Sequence, residues 1–84
     1  MNFDKNSDKD ILKQALSQSA PPENLTLDIF EYKGPQGGYA VRFYRSEFEE
    51  LSDSRKELYL EWLYERLNVA RKFMVRRVVI EKGE

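Results

Sequence analysis

The sequence contains neither cysteine nor histidine among its 84 residues. Without cysteine the chain forms no disulfide and offers no thiolate to a metal ion. Without histidine it lacks the side chain that most often acts as a general base, a zinc ligand or a pH switch. We therefore expect a non-catalytic protein with no metal and no other cofactor. An enzyme that relies on carboxylates is the least favoured alternative.

Long apolar runs are absent as well. No stretch approaches the ~18 apolar residues that suggest a membrane span. The first residues, MNFDKNSDKDILK, are too polar for a signal peptide. We therefore expect a soluble cytoplasmic protein that does not enter a membrane.

The net charge is −1, which argues against a general affinity for polyanions. The charges are nevertheless unevenly distributed. Residues 46–65 carry seven acidic and two basic side chains, whereas residues 66–84 carry six basic and two acidic ones. An acidic segment is thus followed directly by a basic one, RLNVARKFMVRRVV, which raises the question of nucleic-acid binding.

Hydrophobic periodicity predicts one small α+β domain over residues 7–84, preceded by a flexible N-terminus at residues 1–6. The predicted order is α-β-β-α-β: a three-stranded sheet containing a β-hairpin packs on one long helix, with a short N-terminal helix. The predicted elements are helix 8–19, strands 25–32 and 39–45, a helical turn at 47–51, helix 53–72 and strand 74–81. The last strand follows a helical crossover, so it is free to lie parallel to a neighbour.

Local signals set the expected boundaries. Ser7 precedes the first helix as its N-cap, and the proline pair at positions 21 and 22 ends it. The segment GPQGG at 34–38 has the glycines of a hairpin turn. It lacks the following helix of a phosphate-binding loop. Ser46 with Glu49, and Ser54 with Glu57, match the S-x-x-E capping box at the two later helical segments.

Alternation in the first two strands separates two faces. Leu27 and Ile29 fall on the face that packs against the helix, together with Tyr39, Val41 and Phe43. The second face gathers aromatic and arginine side chains, namely Phe30, Tyr32, Arg42 and Tyr44. Either the N-terminal helix covers this second face, or the face contacts a protein or a nucleic acid.

The long helix has an apolar arc that is wider than contact with one sheet requires. We expect the N-terminal helix or a second subunit to cover its other side, with Leu60 and Tyr64 at the candidate subunit or partner contact. Its polar edge carries four acids at successive i, i+4 positions, which form either a solvated face or a docking ridge for a basic partner: Asp53, Glu57, Glu61 and Glu65.

Arg66 projects into the middle of that apolar arc. A buried guanidinium needs a partner. Glu31 lies on the core face of the first strand by alternation, so the sequence predicts an Arg66–Glu31 pair, unless Arg66 extends along its aliphatic stem to solvent.

These features favour an adaptor or regulatory protein that binds a protein partner, either as a monomer or as a homodimer. The candidate partner-binding residues are Phe30, Tyr32, Arg42, Tyr44, Leu60 and Tyr64. The alternative is a nucleic-acid-binding module that uses the aromatic and arginine face with the basic helix end, through Arg42, Tyr44, Arg71, Lys72, Arg76 and Arg77. Arg76 and Arg77 are adjacent on a strand, so only one of them faces the aromatic side.

Overall fold

The computed structural model describes residues 7–35, 37–74 and 76–84, which form three helices and three strands. The order is that of an α+β domain, and it confirms the predicted fold class. The elements are α1 (Ser7–Ser17), β1 (Leu27–Glu31), β2 (Tyr39–Tyr44), α2 (Arg45–Phe48), α3 (Asp53–Arg71) and β3 (Val78–Gly83).

The sheet has the order β1-β2-β3. β1 runs antiparallel to β2, with Ile29 opposite Val41. β3 runs parallel to β2, with Ile80 also opposite Val41. The central strand β2 thus connects a hairpin to a parallel pair, and α3 supplies the long crossover that a parallel neighbour requires.

The core lies between one face of the sheet and the two longer helices. β2 contributes three side chains that are almost fully buried: Tyr39, Val41 and Phe43. α3 contributes Tyr59, Leu63, Leu67 and Ala70, and α1 contributes Leu12 and Ala15. Burying each large apolar side chain stabilises the fold by roughly 1.5–3 kcal/mol.

The N-terminal helix therefore docks on the same side of the sheet as α3. Its Leu12 is fully buried in the cluster that contains the β2 and α3 side chains. Just beyond α1, the carbonyl of Ser19 accepts a hydrogen bond from Trp62 Nε1 at 3.1 Å. This placement explains part of the wide apolar arc of α3, because the sheet covers one side and α1 covers another, while Leu58 and Tyr64 stay 55% and 51% exposed.

The hairpin turn has the glycine geometry that its sequence predicts. Gly37 has a φ of 65° and Gly38 a φ of 108°, values that favour glycine. The backbone N–H of Tyr32 donates to the carbonyl of Gly38 at 2.9 Å, which closes the turn. Gln36, the predicted flexible residues 1–6 and the side chain of the predicted cap Ser7 lie outside the described part of the chain.

Several predicted boundaries are wrong by a few residues: β1 begins at Leu27 and not at residue 25, and α2 spans Arg45–Phe48 and not 47–51. α1 ends at Ser17, before the proline pair that was expected to end it. β3 begins at Val78, whereas the β-branched pattern predicted a start at residue 74. The N–H groups of Phe73 and Met74 both donate to the Ala70 carbonyl at 3.0 Å, so this segment is occupied in closing the end of α3.

Both predicted capping boxes are wrong. α2 begins directly at the end of β2, with Tyr44 at its N-cap position and no side-chain cap. α3 is capped by Ser52, whose side chain accepts a hydrogen bond from the backbone N–H of Arg55. Ser54 therefore lies inside the first turn of α3, where the S-x-x-E pattern does not act as a cap.

Among the residues that the structure describes, none of the helices combines the length and the apolar character that crossing a bilayer requires.

Candidate functional site

Strand register defines a second sheet face that we call the open face. Since Tyr39, Val41 and Phe43 point into the core, the alternate residues of the three strands point the other way. Within the described residues, the two longer helices pack on the core side. At the margin of the face, Lys9 and Lys13 of α1 line a groove of about 540 Å³ with Phe30 and Arg42. The open face comprises Asp28, Phe30 and Tyr32; Ala40, Arg42 and Tyr44; and Arg77, Val79, Glu81 and Gly83.

Arg42 lies at the centre of the open face and joins all three strands. Its guanidinium carbon is 4.5 Å from the centroid of the Phe30 ring, which is a cation–π geometry. Its Nη2 donates to Glu81 Oε2 at 3.2 Å. A Cβ at Gly83 would stand 2.7 Å from Arg42 Cδ, so glycine at this position leaves room for the Arg42 side chain to cross β3.

A second stacked pair lies near the hairpin turn. The guanidinium carbon of Arg77 is 5.4 Å from the centroid of the Tyr32 ring. Tyr32 directly follows β1 and Arg77 directly precedes β3, and the two side chains meet above Gly38. A Cβ on Gly38 would be 2.2 Å from the Arg77 carbonyl oxygen, so the close approach requires glycine. The structure thereby identifies Arg77, and not Arg76, as the arginine on the aromatic side.

Tyr44 and Asp28 form the third contact of the open face. The Tyr44 hydroxyl donates a short hydrogen bond to Asp28 Oδ2. This hydrogen bond is the largest of the influences that raise the pKa of Tyr44 above its ordinary value. The phenol acts as the donor that holds the carboxylate, and the raised pKa keeps it protonated to higher pH than an ordinary tyrosine.

These contacts leave the open face ordered and close to neutral. Two arginines, Arg42 and Arg77, are matched by two carboxylates, Asp28 and Glu81. Arg42 and Glu81 are each about a third exposed, with side-chain exposures of 39% and 35%. The aromatic rings of the face are half-buried. Such a face offers stacked, partly accessible arginine and aromatic groups whose own charges balance, with Lys9 and Lys13 of α1 at its margin.

The predicted nucleic-acid residues do not lie on one surface. Arg42, Tyr44 and Arg77 belong to the open face, whereas α3 packs on the opposite side of the sheet. At its C-terminal end, Arg71 donates to Asn68 Oδ1 at 2.9 Å and to the Val78 carbonyl at 3.0 Å. The exposed residues Lys72 and Arg76 flank the junction that follows the helix.

The second predicted contact, at Leu60 and Tyr64, lies beside the outer edge of β3. Leu60 is half-buried, while Tyr64 is 51% exposed. These two side chains line a groove of about 290 Å³ together with Phe43, Ile80 and Lys82. The helix and the edge strand thus share one apolar groove, which we call the β3-edge groove.

The predicted Arg66–Glu31 pair is wrong. Glu31 is exposed at the end of β1. Arg66 instead donates to Gln18 Oε1, which follows α1, and to Glu65 Oε1, both at 3.2 Å. Arg66 faces the neighbouring helix and not the sheet, so alternation along β1 could not identify its partner.

The four acids on the polar edge of α3 are all exposed, as expected for a solvated face. A separate groove of about 670 Å³ lies between the start of β1 and α2, with Glu23, Glu47 and Glu50 among its lining residues. Two of these three carboxylates, Glu47 and Glu23, have partners. Glu47 accepts from the N–H and the hydroxyl of Thr26, at 2.7 and 2.9 Å, and Glu23 pairs with Arg55 at 2.8 Å. These bonds fasten the segment before β1 to the helices.

The sequence did not identify three residues on which the contacts of the open face depend: Glu81 and Gly83 on the face itself, and Gly38 beneath the Tyr32–Arg77 pair. The sequence shows them only as a turn glycine and two residues near the C-terminal end. Their roles depend on the parallel register of β3 with β2, which pairs Arg42 with Glu81 and Tyr44 with Gly83. The alternation of Arg77, Val79 and Glu81 could have placed these three residues on one face of the sheet. That inference needed the correct start of β3, which the sequence pattern did not give.

Within the described residues, no group of three or more acidic side chains is arranged to hold a metal ion. In comparisons with known proteins, no family model matches this chain, and no curated protein or solved structure is significantly similar to it.

Proposed function

We propose that this chain is a small non-catalytic protein-binding domain, of the adaptor or regulatory kind, that acts in the cytoplasm. The open face is its contact surface. One observation carries the proposal: the arginine and aromatic side chains of that face are already held in place. Arg42 stacks on Phe30 at 4.5 Å and Arg77 on Tyr32 at 5.4 Å, without a helix of the described chain above them.

Pre-ordered side chains favour binding, because the partner does not have to restrict their rotamers. Tyrosine and arginine are also enriched among the residues that contribute most to protein–protein affinity. An isolated domain usually covers both faces of a sheet or makes one face polar. Half-buried aromatic rings on an uncovered face are therefore consistent with a surface that a partner completes.

The charge balance of the face favours a protein over a nucleic acid. Binding to phosphates depends on cations that displace counterions. Here Arg42 is paired with Glu81 at 3.2 Å, and Asp28 adds another negative charge nearby. A nucleic-acid strand would have to approach both carboxylates. Nucleic-acid binding is therefore the second candidate, supported by the stacking of Arg77 on Tyr32.

The proposal is tested by capture from the cell that makes the protein. The bait is the full chain, with Phe30→Ala as the open-face variant. Leu58→Ala is the matched control, since Leu58 is 55% exposed and lies on α3. Each sample is divided and captured with and without nuclease, and circular dichroism checks that both variants fold.

We expect a protein partner that the wild type and Leu58→Ala retain and that Phe30→Ala loses. Repeating the binding with the purified partner should show a dissociation constant raised about tenfold or more, as for the loss of one important contact. Equal capture by the two variants would refute the open face as the contact surface. Capture that disappears with nuclease would favour the second candidate.

A further inference from the structure

The outer edge of β3 carries backbone groups that point away from the sheet. The N–H of Tyr39 donates to the Arg77 carbonyl at 2.9 Å, so Arg77 directs its backbone groups toward β2. Successive residues of a strand alternate in this direction. Val78, Ile80 and Lys82 therefore direct their N–H and C=O groups outward. Within the described residues, β2 is the only strand that pairs with β3.

One of these outward groups already has a side-chain partner. Arg71 Nη2 donates to the Val78 carbonyl at 3.0 Å, which confirms that Val78 faces outward. This contact gives the Val78 carbonyl, at the start of the edge, a hydrogen-bond donor. The N–H and carbonyl of Ile80, at the middle of the edge, face outward without a neighbouring strand among the described residues. An uncovered strand edge of this kind is a template for pairing with another strand.

An apolar groove accompanies that middle section. Ile80, Leu60 and Tyr64 line the β3-edge groove, and half of the Tyr64 side chain is exposed. A chain added along β3 would cover this groove at the same time as it satisfied the backbone edge. Strand and helix thus present one continuous contact surface.

The charges on α3 indicate what the added chain is. Glu57 and Arg71 lie seven residues before and after Tyr64, and at 3.6 residues per turn this spacing keeps all three on nearly the same side of the helix. An antiparallel copy of α3 would place the Arg71 end of one helix opposite the Glu57 end of the other. The acidic and basic segments of the chain are complementary to each other in that arrangement.

We propose that two copies of this chain associate about a two-fold axis that passes beside Ile80 and Tyr64. The β3 strands pair antiparallel, with Ile80 opposite Ile80 of the second copy, and the two sheets become one six-stranded sheet. Antiparallel pairing about this residue joins the outward groups of the two Ile80 residues. It also makes Val78 and Lys82 of the second copy a hydrogen-bonded pair: the Val78 N–H donates to the Lys82 carbonyl, and the Val78 carbonyl accepts from the Lys82 N–H through the lone pair that Arg71 does not use.

The same axis brings Tyr64 beside Tyr64 of the second copy and pairs Glu57 with Arg71 of the second copy at each end. Such isologous contacts are self-complementary. The surface differs from the open face, so this inference goes beyond the proposed function and does not depend on it. Both open faces lie on the same side of the joined sheet and remain accessible.

The first test is sedimentation equilibrium of the full chain over a micromolar to millimolar range. We expect a monomer–dimer equilibrium, with a dissociation constant raised about tenfold or more by Tyr64→Glu, which places a carboxylate at the axis. Leu58→Glu is the matched control on another side of α3, and it should leave the equilibrium unchanged. Glu57→Arg should weaken the dimer, and adding Arg71→Glu should restore part of the loss.

The second test locates the interface by backbone hydrogen exchange. The N–H of Ile80 faces outward, so its exchange should slow as the protein concentration rises. The N–H of Val79 faces β2 and should be protected at every concentration. A monomer at all concentrations would overturn the proposal, and so would a dimer that Tyr64→Glu leaves intact with the Ile80 amide exchanging rapidly.

Discussion

The hydroxyl of Tyr59 is an unusual polar group in this core. The Tyr59 side chain is fully buried, with its ring in edge contact with Phe43 at 6.1 Å. Among the described residues its oxygen has no hydrogen-bond partner. Burial raises the pKa of Tyr59 to about 12, and the nearby charge of Glu47 adds to the effect. The site therefore tolerates the neutral phenol and disfavours the phenolate.

The first prediction is that Tyr59→Phe stabilises the protein. The substitution keeps the ring and its contacts but removes a buried hydroxyl that lacks a partner. A buried polar group without a hydrogen bond costs about 1–3 kcal/mol, so the free energy of unfolding should rise by about 1 kcal/mol. Urea unfolding followed by circular dichroism measures it. Leu63→Ala, at an equally buried position, should destabilise by about 2–5 kcal/mol and so confirms that the assay reports on the core.

The second prediction concerns alkaline pH. The unfolded Tyr59 ionises near its ordinary pKa, 10.0, whereas the folded one ionises near 12. Because the folded pKa is raised, its contribution to stability is complete below pH 10 and declines as the pH rises toward 12. Tyr59→Phe should therefore lose less stability than the wild type between these values. Parallel loss in the two proteins, measured by urea unfolding at stepped pH, would contradict the account.

Arg66 shows which part of a residue's environment the sequence predicts. Helical projection correctly indicates that Arg66 lies among apolar side chains, and its side chain is only 12% exposed. The projection gives a direction around α3, but it does not say which neighbouring element lies there. The partner was predicted on the sheet and is found at Gln18, because α1 packs on that side.

The start of α3 depends on Ser52, and the third prediction tests this cap. Ser52→Ala removes the acceptor for the Arg55 N–H and should cost about 1 kcal/mol of unfolding free energy. Ser54→Ala is the matched control, since this serine has the sequence pattern of a cap but lies within the first turn. It should change stability by less than half as much. A larger loss for Ser54→Ala in chemical unfolding would contradict the assignment.

The hairpin turn provides the fourth prediction through two neighbouring glycines. Gly38→Ala combines a φ of 108° with a Cβ 2.2 Å from the Arg77 carbonyl, so we expect a loss of roughly 3 kcal/mol or more. Gly37→Ala has a φ of 65° and no atom within 4 Å of the new Cβ, so about 1 kcal/mol is expected. Thermal unfolding of both variants gives the comparison. Equal losses of stability would show that the close approach of the Arg77 carbonyl adds nothing to the cost of a side chain at position 38.

The elements themselves were predictable to different degrees. β2 is flanked by a glycine-rich turn and a helix start, and its alternation leads directly to Tyr39, Val41 and Phe43 in the core. β3 was predicted four residues too early, because β-propensity does not register that Phe73 and Met74 still bond back to α3. The residue at which β3 begins decides which alternate residues point to the open face. Only the structure therefore shows that Arg77, and not Arg76, lies on that face.

Positive charges that are close together in the sequence lie on different sides of the folded molecule. The basic stretch that begins at Arg66 does not form one surface: Arg66 packs toward α1, Arg71 holds the β3 edge, and Arg77 lies on the open face. The sequence shows how many basic residues are close together along the chain, but the fold places their side chains on three sides of the molecule. This distribution supports the proposal of a protein contact over a nucleic-acid contact.

The position of α1 determines whether the molecule has an uncovered face. The amphipathic pattern of the N-terminal helix fits either side of the sheet equally well, so the sequence left both arrangements open. Leu12 and Ala15 are buried with the α3 side chains, which assigns α1 to the core side. In the described part of the chain, neither longer helix therefore packs over the aromatic and arginine residues opposite, and the proposed function depends on this arrangement.

The most direct measurement is site-specific photo-crosslinking in the cell that makes the protein. A photoreactive amino acid replaces Tyr32 on the open face or, as the control, Leu58 on α3. The account predicts a nuclease-resistant adduct with a distinct protein at position 32, and no such adduct at position 58. The same adduct at both positions, or none at position 32 while the domain remains folded, would contradict the open face as a protein-binding surface.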